Sequence, residues 1–306
     1  MLAADARHPV IRATLWMSGA LFSFMTMAIG ARELAGVLGT FEILFFRSLI
    51  GLIAVSLVLS RRGWGRIATG KFGIHVIRNV AHFGGQYGWF YGIAFIPIAE
   101  VFAIEFTVPV WTAILAALLL GERITRPRVI AITLGIAGIW LILRPGLAVV
   151  HPAAIAVLLS AVGYALSHTL TKKLAGSDTP LAILFYMTAI QLPLGLIPAL
   201  PHWVTPPAAA WPWLIAVGLA ALGAHYCMAR ALRLADATVV VPMDFLRLPL
   251  AAVVGYLFYA EKIEGWVFAG AVVIFAGSLI NIRAERRRGP VSAAPHIARS
   301  GAPRGH

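Results

Sequence analysis

Six ionisable side chains, Arg47, Arg78, Glu100, Glu105, Asp244 and Arg247, fall inside long, mainly apolar stretches of the sequence. A charge at the centre of a bilayer costs roughly 2.5–3.5 kcal/mol on insertion scales, so such a residue is either held by a partner or put to use. At about 1.5 Å of rise per residue, Arg47 shares a depth with Glu105 and Arg78 shares another with Asp244, which predicts two ion pairs. Arg247 lies deeper, near the middle of its stretch, and two readings stay open for it. Its planar guanidinium suits an anionic group of a substrate, or it pairs with Asp244 one turn earlier on the same helix. Glu105 and Asp244 are the candidate proton carriers, and the three arginines are their countercharges or anion-binding groups.

Uncharged polar residues add a pattern. Arg78, His82 and Gln86 recur at i, i+4 and i+8 with Trp89 close in angle, and Gly84, Gly88 and Gly92 repeat every four residues on a different face. The glycine face predicts close packing on a neighbouring helix, which turns the polar stripe toward the interior. A later stretch repeats the small-residue spacing at Gly223, Cys227 and Ala231, and sets His225 where Gln86 stands and Tyr226 where Tyr87 stands. His82 and His225 are satisfied interior imidazoles or proton carriers. Pro109, Pro242 and Pro249 remove backbone donors near the acids and predict kinks or hinges. Trp16, Phe24, Trp89, Tyr91, Trp111 and Tyr164 offer stacking surfaces wherever they do not face lipid.

The elements that position these residues follow from composition. The 306-residue chain is 60% hydrophobic and only 12% charged, which leaves too few charges to cover a water-facing surface and excludes a soluble enzyme. Spanning helices of roughly 20 apolar residues fit at 13–30, 41–59, 72–95, 98–120, 127–143, 152–170, 181–199, 211–232, 237–259 and 265–282. The net charge of +13 is then a topology signal and not a mark of nucleic-acid binding. With the N-terminus in the cytoplasm, nineteen of the 25 Lys and Arg fall on the inside and three on the outside, which places both termini in the cytoplasm of a multi-pass inner-membrane protein. The single cysteine, Cys227, excludes an intrachain disulfide and a Cys-based metal site.

The sequence is also written twice. A shift of 139 aligns residues 84–144 with 223–283 without a gap and gives eleven identities, among them Phe106 on Phe245 and Glu122 on Glu261, with Glu105 falling on Asp244. Each repeat holds five spans, so the second enters the membrane upside down, an architecture of many secondary transporters. The fold expected is an all-α integral membrane protein: ten transmembrane helices as two inverted five-helix repeats around a central cavity. The divisions are a cytoplasmic N-terminus (1–12), a first repeat (13–146), a second repeat (147–283) and a disordered basic cytoplasmic tail (284–306). Glu122 and Glu261 then lie at opposite membrane faces as helix-end and gate-region contacts, with Arg123 and Lys262 nearby.

The segments LLLGERI (118–124), LFYAEKI (257–263) and GIAGIWLILRPG (135–146) resemble the EamA-type members of the drug/metabolite transporter superfamily. The second copy carries Ala260 where the pattern has glycine. The resemblance implies a cavity lined by helices 1, 3, 4, 6, 8 and 9. It also implies transport of a small polar metabolite by alternating access, in first place the efflux of an amino acid or related compound. The alternative is import of a vitamin or nucleoside-like metabolite such as riboflavin or S-adenosylmethionine. The substrate-binding or coupling candidates are Arg47, Arg78, His82, Gln86, Trp89, Glu105, His225, Tyr226, Asp244 and Arg247. The partners expected are the substrate, the lipid bilayer and a coupling proton, with no cofactor, metal or nucleic acid. A multi-pass enzyme acting on lipid is the rival from another class, but the short loops carry no HExxH, GxSxG or acidic metal cluster.

Overall fold

The computed structural model describes residues 7–122, 124–146, 149–235 and 237–288. Twelve α-helices follow one another: α1 (Arg7–Ala35), α2 (Thr40–Arg62), α3 (Phe72–Phe95), α4 (Ile98–Glu105), α5 (Val108–Leu120), α6 (Arg126–Leu143), α7 (Pro152–Leu174), α8 (Pro180–Ala199), α9 (Trp211–Leu234), α10 (Ala237–Asp244), α11 (Arg247–Tyr259) and α12 (Gly265–Arg288). Pairs α4/α5 and α10/α11 are each one crossing broken in the middle, so the twelve helices make ten crossings. Among the described residues, nine of these are long and apolar enough to cross a membrane. The tenth is α3, which has the length but carries His75, Arg78, Asn79, His82 and Gln86 turned inward. The expected span limits recur within a few residues, except that α1 starts earlier and α12 runs on to Arg288. The expected tail thus begins as helix, and residues 289–306 lie outside the described residues.

Local chemistry sets the helix ends. Thr179 caps α8 by accepting the Ala182 N–H, and His151 caps α7 by accepting the Ala153 N–H, each followed by a proline that needs no donor partner. The helix α5 ends at Gly121 (φ 66°) and α11 ends at Ala260 (φ 51°), positions equivalent in the repeat. The missing glycine therefore leaves the left-handed turn intact, although the alanine Cβ strains it by roughly 1–2 kcal/mol.

The two halves interlock. Helix α1 packs along α9 and α7 along α3, two crossings exchanged by the repeat, while α2 meets α8 and α6 meets α12. The α3–α7 crossing is built on glycine. A Cβ on Gly88 would sit 2.4 Å from the Ala156 carbonyl oxygen, one on Gly92 2.2 Å from Val157, and one on Gly163 2.7 Å from the Ala81 carbonyl oxygen. The third member on the α3 side is Gly85, not the expected Gly84, which is exposed with open space around it. An α-helix turns 3.6 residues at a time, so a strict four-residue spacing drifts off the contact line within two turns.

Both helix breaks fall directly after the repeated acids. The first crossing is interrupted at Phe106–Thr107 and the second at Phe245–Leu246. The two phenylalanines, equivalent in the repeat, stack on each other with ring centroids 4.0 Å apart and planes at 15°. Pro109 stands in the first turn of α5, where its absent N–H is harmless, and Pro242 lies inside α10.

Candidate functional site

Beside the stacked phenylalanines, one cation serves both acids. Arg247 donates to Asp244 Oδ2 at 2.6 Å and to Glu105 Oε1 at 3.3 Å. Its guanidinium carbon lies 4.2 Å from the centroid of Phe24, 5.1 Å from Phe106 and 5.3 Å from Phe102. The Trp89 indole N–H donates to the other oxygen of Glu105 at 2.7 Å. This overturns both expected pairings, Arg47 with Glu105 and Arg78 with Asp244. Of the two readings of Arg247 it supports the helical pair with Asp244, widened to take in Glu105. Position 108, the repeat equivalent of 247, is valine, so the clamp belongs to one half only.

Among the described residues, the other two arginines reach no carboxylate. Arg78 donates to Thr171 Oγ1 at 2.9 Å and Asn79 Oδ1 at 2.8 Å. Arg47 is buried, and its Nε has no partner. Nearby, His82 Nδ1 is shared by Gln86 Nε2 and Gln191 Nε2, each at 2.9 Å, and the ring stands edge-on to Tyr164 at 5.4 Å and 6.5 Å from His225. His168 joins this group through its proximity to Arg78, His82 and His225.

The burial pattern gives the group a direction. The main apolar core fills the halves of the bundle near the α1/α2 and α3/α4 connections, the far face, with Ala28, Leu34, Ile93, Ile98, Val101 and Val217 almost fully buried. Toward the opposite face, which holds the start of α1 and the end of α12, apolar packing thins to a small cluster of Met17, Ala20, Ala231 and Val240. There His168 and His225 keep exposed surface although they lie amid the buried His82, Arg78 and Arg47. The polar side chains of the interior thus lie on the termini side of the main apolar core, and the cavity at the far face is a small one bounded by Pro97, Glu100, Glu261 and Phe268.

Of the ten candidates, nine meet in two adjoining clusters: Trp89, Glu105, Asp244 and Arg247 at the breaks, and Arg47, Arg78, His82, Gln86 and His225 among the polar side chains of the interior. Tyr226 stands apart, 58% exposed and edge-on to Trp16 at 5.6 Å. It lies about 100° further round the helix than His225, on the side that meets α1 at Trp16. Sequence reasoning named Phe24 as a stacking surface but missed Gln191, His168 and the closing of Phe24, Phe102 and Phe106 around Arg247. A lone amide in the apolar run of α8 and a lone imidazole in α7 were the signals available.

Both faces carry latches that join the halves. On the far face Arg32 donates to Glu261 at 2.6 Å and to the Ile96 carbonyl, and Glu261 accepts the Ile98 N–H at 2.9 Å. On the termini face Glu122 accepts from Lys172 at 2.7 Å and from Arg128 at 3.0 Å. The carboxylates therefore pair with the opposite half or the next helix and not with Lys262, while Arg123 lies outside the described residues. Asp178, between α7 and α8, gathers Thr69 at 2.6 Å, Ser177 at 2.7 Å and His75 at 2.7 Å, and so ties the α2–α3 loop to the second half.

This geometry meets a sequence profile. That of the EamA-like transporter family matches residues 11–144 and 151–283, one match per repeat. The chain belongs to the EamA-like transporter family. It is similar to the S-adenosylmethionine uptake transporter of Rickettsia prowazekii (strain Madrid E), with 26% identity over 286 residues, 92% of this chain and 96% of that one. It is also similar to the riboflavin transporter of Rhizobium johnstonii, with 32% identity over 231 residues, 75% and 76% of the two chains. The pseudopaline exporter of Pseudomonas aeruginosa is 28% identical over 272 residues, 87% and 94% of the two chains. A solved crystal structure with 17% identity aligns at a TM-score of 0.63 over 90% of this chain and 98% of its own, which shows the shared fold. As an EamA-like transporter this chain is a multi-pass membrane carrier of small metabolites and not an enzyme.

Proposed function

We propose that this EamA-like transporter moves a flat, polar, ring-bearing metabolite across the bacterial inner membrane by alternating access, with the termini face in the cytoplasm. The observation that carries the reading is the polar cluster between the halves, where three imidazoles (His82, His168 and His225), two amides (Gln86 and Gln191) and Tyr164 gather beside the helix breaks. Flat polar rings give a planar ligand stacking surface and in-plane hydrogen bonds together, which favours the import alternative over export of an aliphatic amino acid. The names of the riboflavin and S-adenosylmethionine relatives support the same class. An apolar core packed toward the far face, with the polar cluster on the termini side of it, corresponds to the state open to the cytoplasm, and the nineteen-to-three distribution of basic residues supports that orientation.

Coupling rests on the break cluster. A proton on Glu105 or Asp244 removes one of the two charges that hold Arg247, freeing α5 and α11 to swing about the stacked phenylalanines. The test is counterflow in proteoliposomes with radiolabelled S-adenosylmethionine and riboflavin under an imposed pH gradient. Saturable counterflow of one probe is expected, with a pH dependence that Glu105→Gln and Asp244→Asn each flatten. Transport of neither probe would end the ring-ligand reading, and an unchanged pH profile in both variants would end proton coupling.

A further inference from the structure

Charge within the bundle does not balance. Three arginines, Arg47, Arg78 and Arg247, face the interior against two carboxylates, Glu105 and Asp244, both taken by Arg247, while the third acid of the spans, Glu100, sits in the first turn of α4 at the far face beside Glu264 and Arg144. Arg78 is satisfied by neutral oxygens of Thr171 and Asn79. Arg47 forms no hydrogen bond or ion pair among the described residues, although it is only 7% exposed. Its Nε is closed off without a partner, and its two terminal nitrogens, equally unbonded, are the part of the guanidinium that keeps access to open space. An uncompensated buried cation costs several kcal/mol, so a carrier that keeps one has an occupant for it. Arg47 lies about 10 Å along α2 from the far-face end, at ~1.5 Å per residue, among Tyr164, His82 and His225.

We propose that Arg47 is the anion-recognition point of the polar cluster and binds a carboxylate of the transported metabolite through its two terminal nitrogens, while the ring portion lies against the imidazoles and amides. The inference rests on the ring-ligand reading above and narrows it to metabolites that join a flat ring to a carboxylate on a flexible arm. A guanidinium edge presents two parallel N–H groups that match the two oxygens of a carboxylate. The buried, unpaired guanidinium of Arg47 and the excess of arginines over carboxylates around it favour the same ligand charge. Bringing that carboxylate in neutralises the cluster as the substrate arrives.

The experiment measures binding of paired probes to the full-length protein in detergent, by thermal shift and by competition: S-adenosylmethionine against its decarboxylated form, and flavin mononucleotide against riboflavin. Wild-type protein is expected to prefer S-adenosylmethionine over its decarboxylated form by about tenfold to a hundredfold, the range of a charge-assisted buried contact. Arg47→Gln is expected to erase that preference, Arg47→Lys to keep part of it, and Arg78→Gln to keep most of it. No preference in the wild type, or a preference that survives Arg47→Gln, would overturn the proposal. An equal loss in Arg78→Gln would also do so, by showing a diffuse field and not a contact. A preference confined to the phosphate-bearing flavin would overturn the carboxylate assignment. Should Arg47→Gln fail to give monodisperse protein, the wild-type preference and the partial retention in Arg47→Lys still decide it. Binding of no probe at all would bring down the ring-ligand reading itself.

Discussion

The turns around Glu122 and Glu261 are the same device used at opposite faces. Each follows a left-handed residue, and each glutamate N–H bonds back to the carbonyl of the residue six positions earlier, Ala116 or Gly255. Their partners also correspond, because Arg32 and Lys172 occupy equivalent positions 140 residues apart. The environments nevertheless differ. Glu261 and Arg32 are 11% and 20% exposed, against 27% and 70% for Glu122 and Lys172. Burial pushes the Glu261 carboxyl above its ordinary value against the pull of the Ile98 N–H and Arg32, whereas the Lys172 hydrogen bond holds Glu122 below. One small residue explains the divergence. A Cβ on Gly255 would sit 2.2 Å from Glu261 Oε2, so glycine there lets the carboxylate fold back against its own helix and under Arg32. The equivalent Ala116 leaves no such room, and Glu122 stays at the surface. The repeat thus preserves the ion pair, and the absence of a methyl group decides where it acts as a buried latch.

The halves differ most at Arg247, which faces Val108 across the repeat, and the largest effect is expected there. Arg247→Leu strands two carboxylates that are only 16% and 17% exposed, and breaking a buried pair by removing one partner costs about 3–5 kcal/mol. Unfolding in a fixed detergent should show that loss, and adding Glu105→Gln and Asp244→Asn should restore a large part of it. A Val108→Leu control should move stability by no more than about 1–3 kcal/mol through packing. Arg247→Leu behaving no worse than that control would mean that the clamp does not hold the halves at their breaks.

The latches come next. Glu261→Gln should weaken the far-face seal by about 1–3 kcal/mol, the range for hydrogen bonds to a charged group, while Glu122→Gln, at an exposed pair, should change stability by less than about 1 kcal/mol. Gly255→Ala should act like Glu261→Gln, because the added methyl displaces the carboxylate. Reaction of an Ala28→Cys thiol, in a Cys227→Ala background, with a membrane-impermeant maleimide added on the far face reads the seal. Labelling should speed up in the Glu261 and Gly255 variants and not in Glu122→Gln. Equal rates in all three would make the asymmetry between the faces irrelevant to opening.

The spans, the repeat and the placement of the acids were legible in the sequence because apolar length and acid scarcity are one-dimensional signals. The limits at 72–95 and 98–120 recur as the ends of α3 and of α4/α5. The partners of the charges were not legible. Depth matching fixes a position along the membrane normal and nothing about the angle around a helix, so Arg47 and Glu105 could share a depth while Glu105 turned to Arg247 and Trp89. A one-residue error in the glycine line, Gly84 for Gly85, has the same angular origin. The pairing of Glu261 with Arg32 needed the two halves to interlock, which no local pattern states. Asp178, in the short polar break after α7, gave no sequence signal beyond turn chemistry, yet it holds Thr69 and His75 from the other half.

That network is the counterpart of the far-face latch in the present state, and it offers the smallest and most specific test. The hydrogen bonds from Thr69 and Ser177, with His75 adding to them, hold the Asp178 carboxyl down from its ordinary 3.8 to about 2. A carboxyl depressed on folding contributes stability that is complete above its unfolded value and is lost as the pH falls through its folded value. The stability difference between wild type and Asp178→Asn should therefore be level from pH 7 to about 5, of the order of 1 kcal/mol after solvent screening. It should shrink below about 4 and be nearly gone at about 2. Subtracting the variant removes every other acid from the comparison, including Glu122 at the same face, whose depression is set by Lys172 and persists in both proteins. A difference that held steady down to pH 3 would assign the tie between the α2–α3 loop and the second half to the Arg66 carbonyl, which accepts the Thr179 hydroxyl at 2.8 Å, and to the Ile67 carbonyl, which accepts Tyr186 at 3.0 Å. Neither of those bonds titrates in that window, so the pH profile alone separates an ionic tie on the termini face from a neutral one.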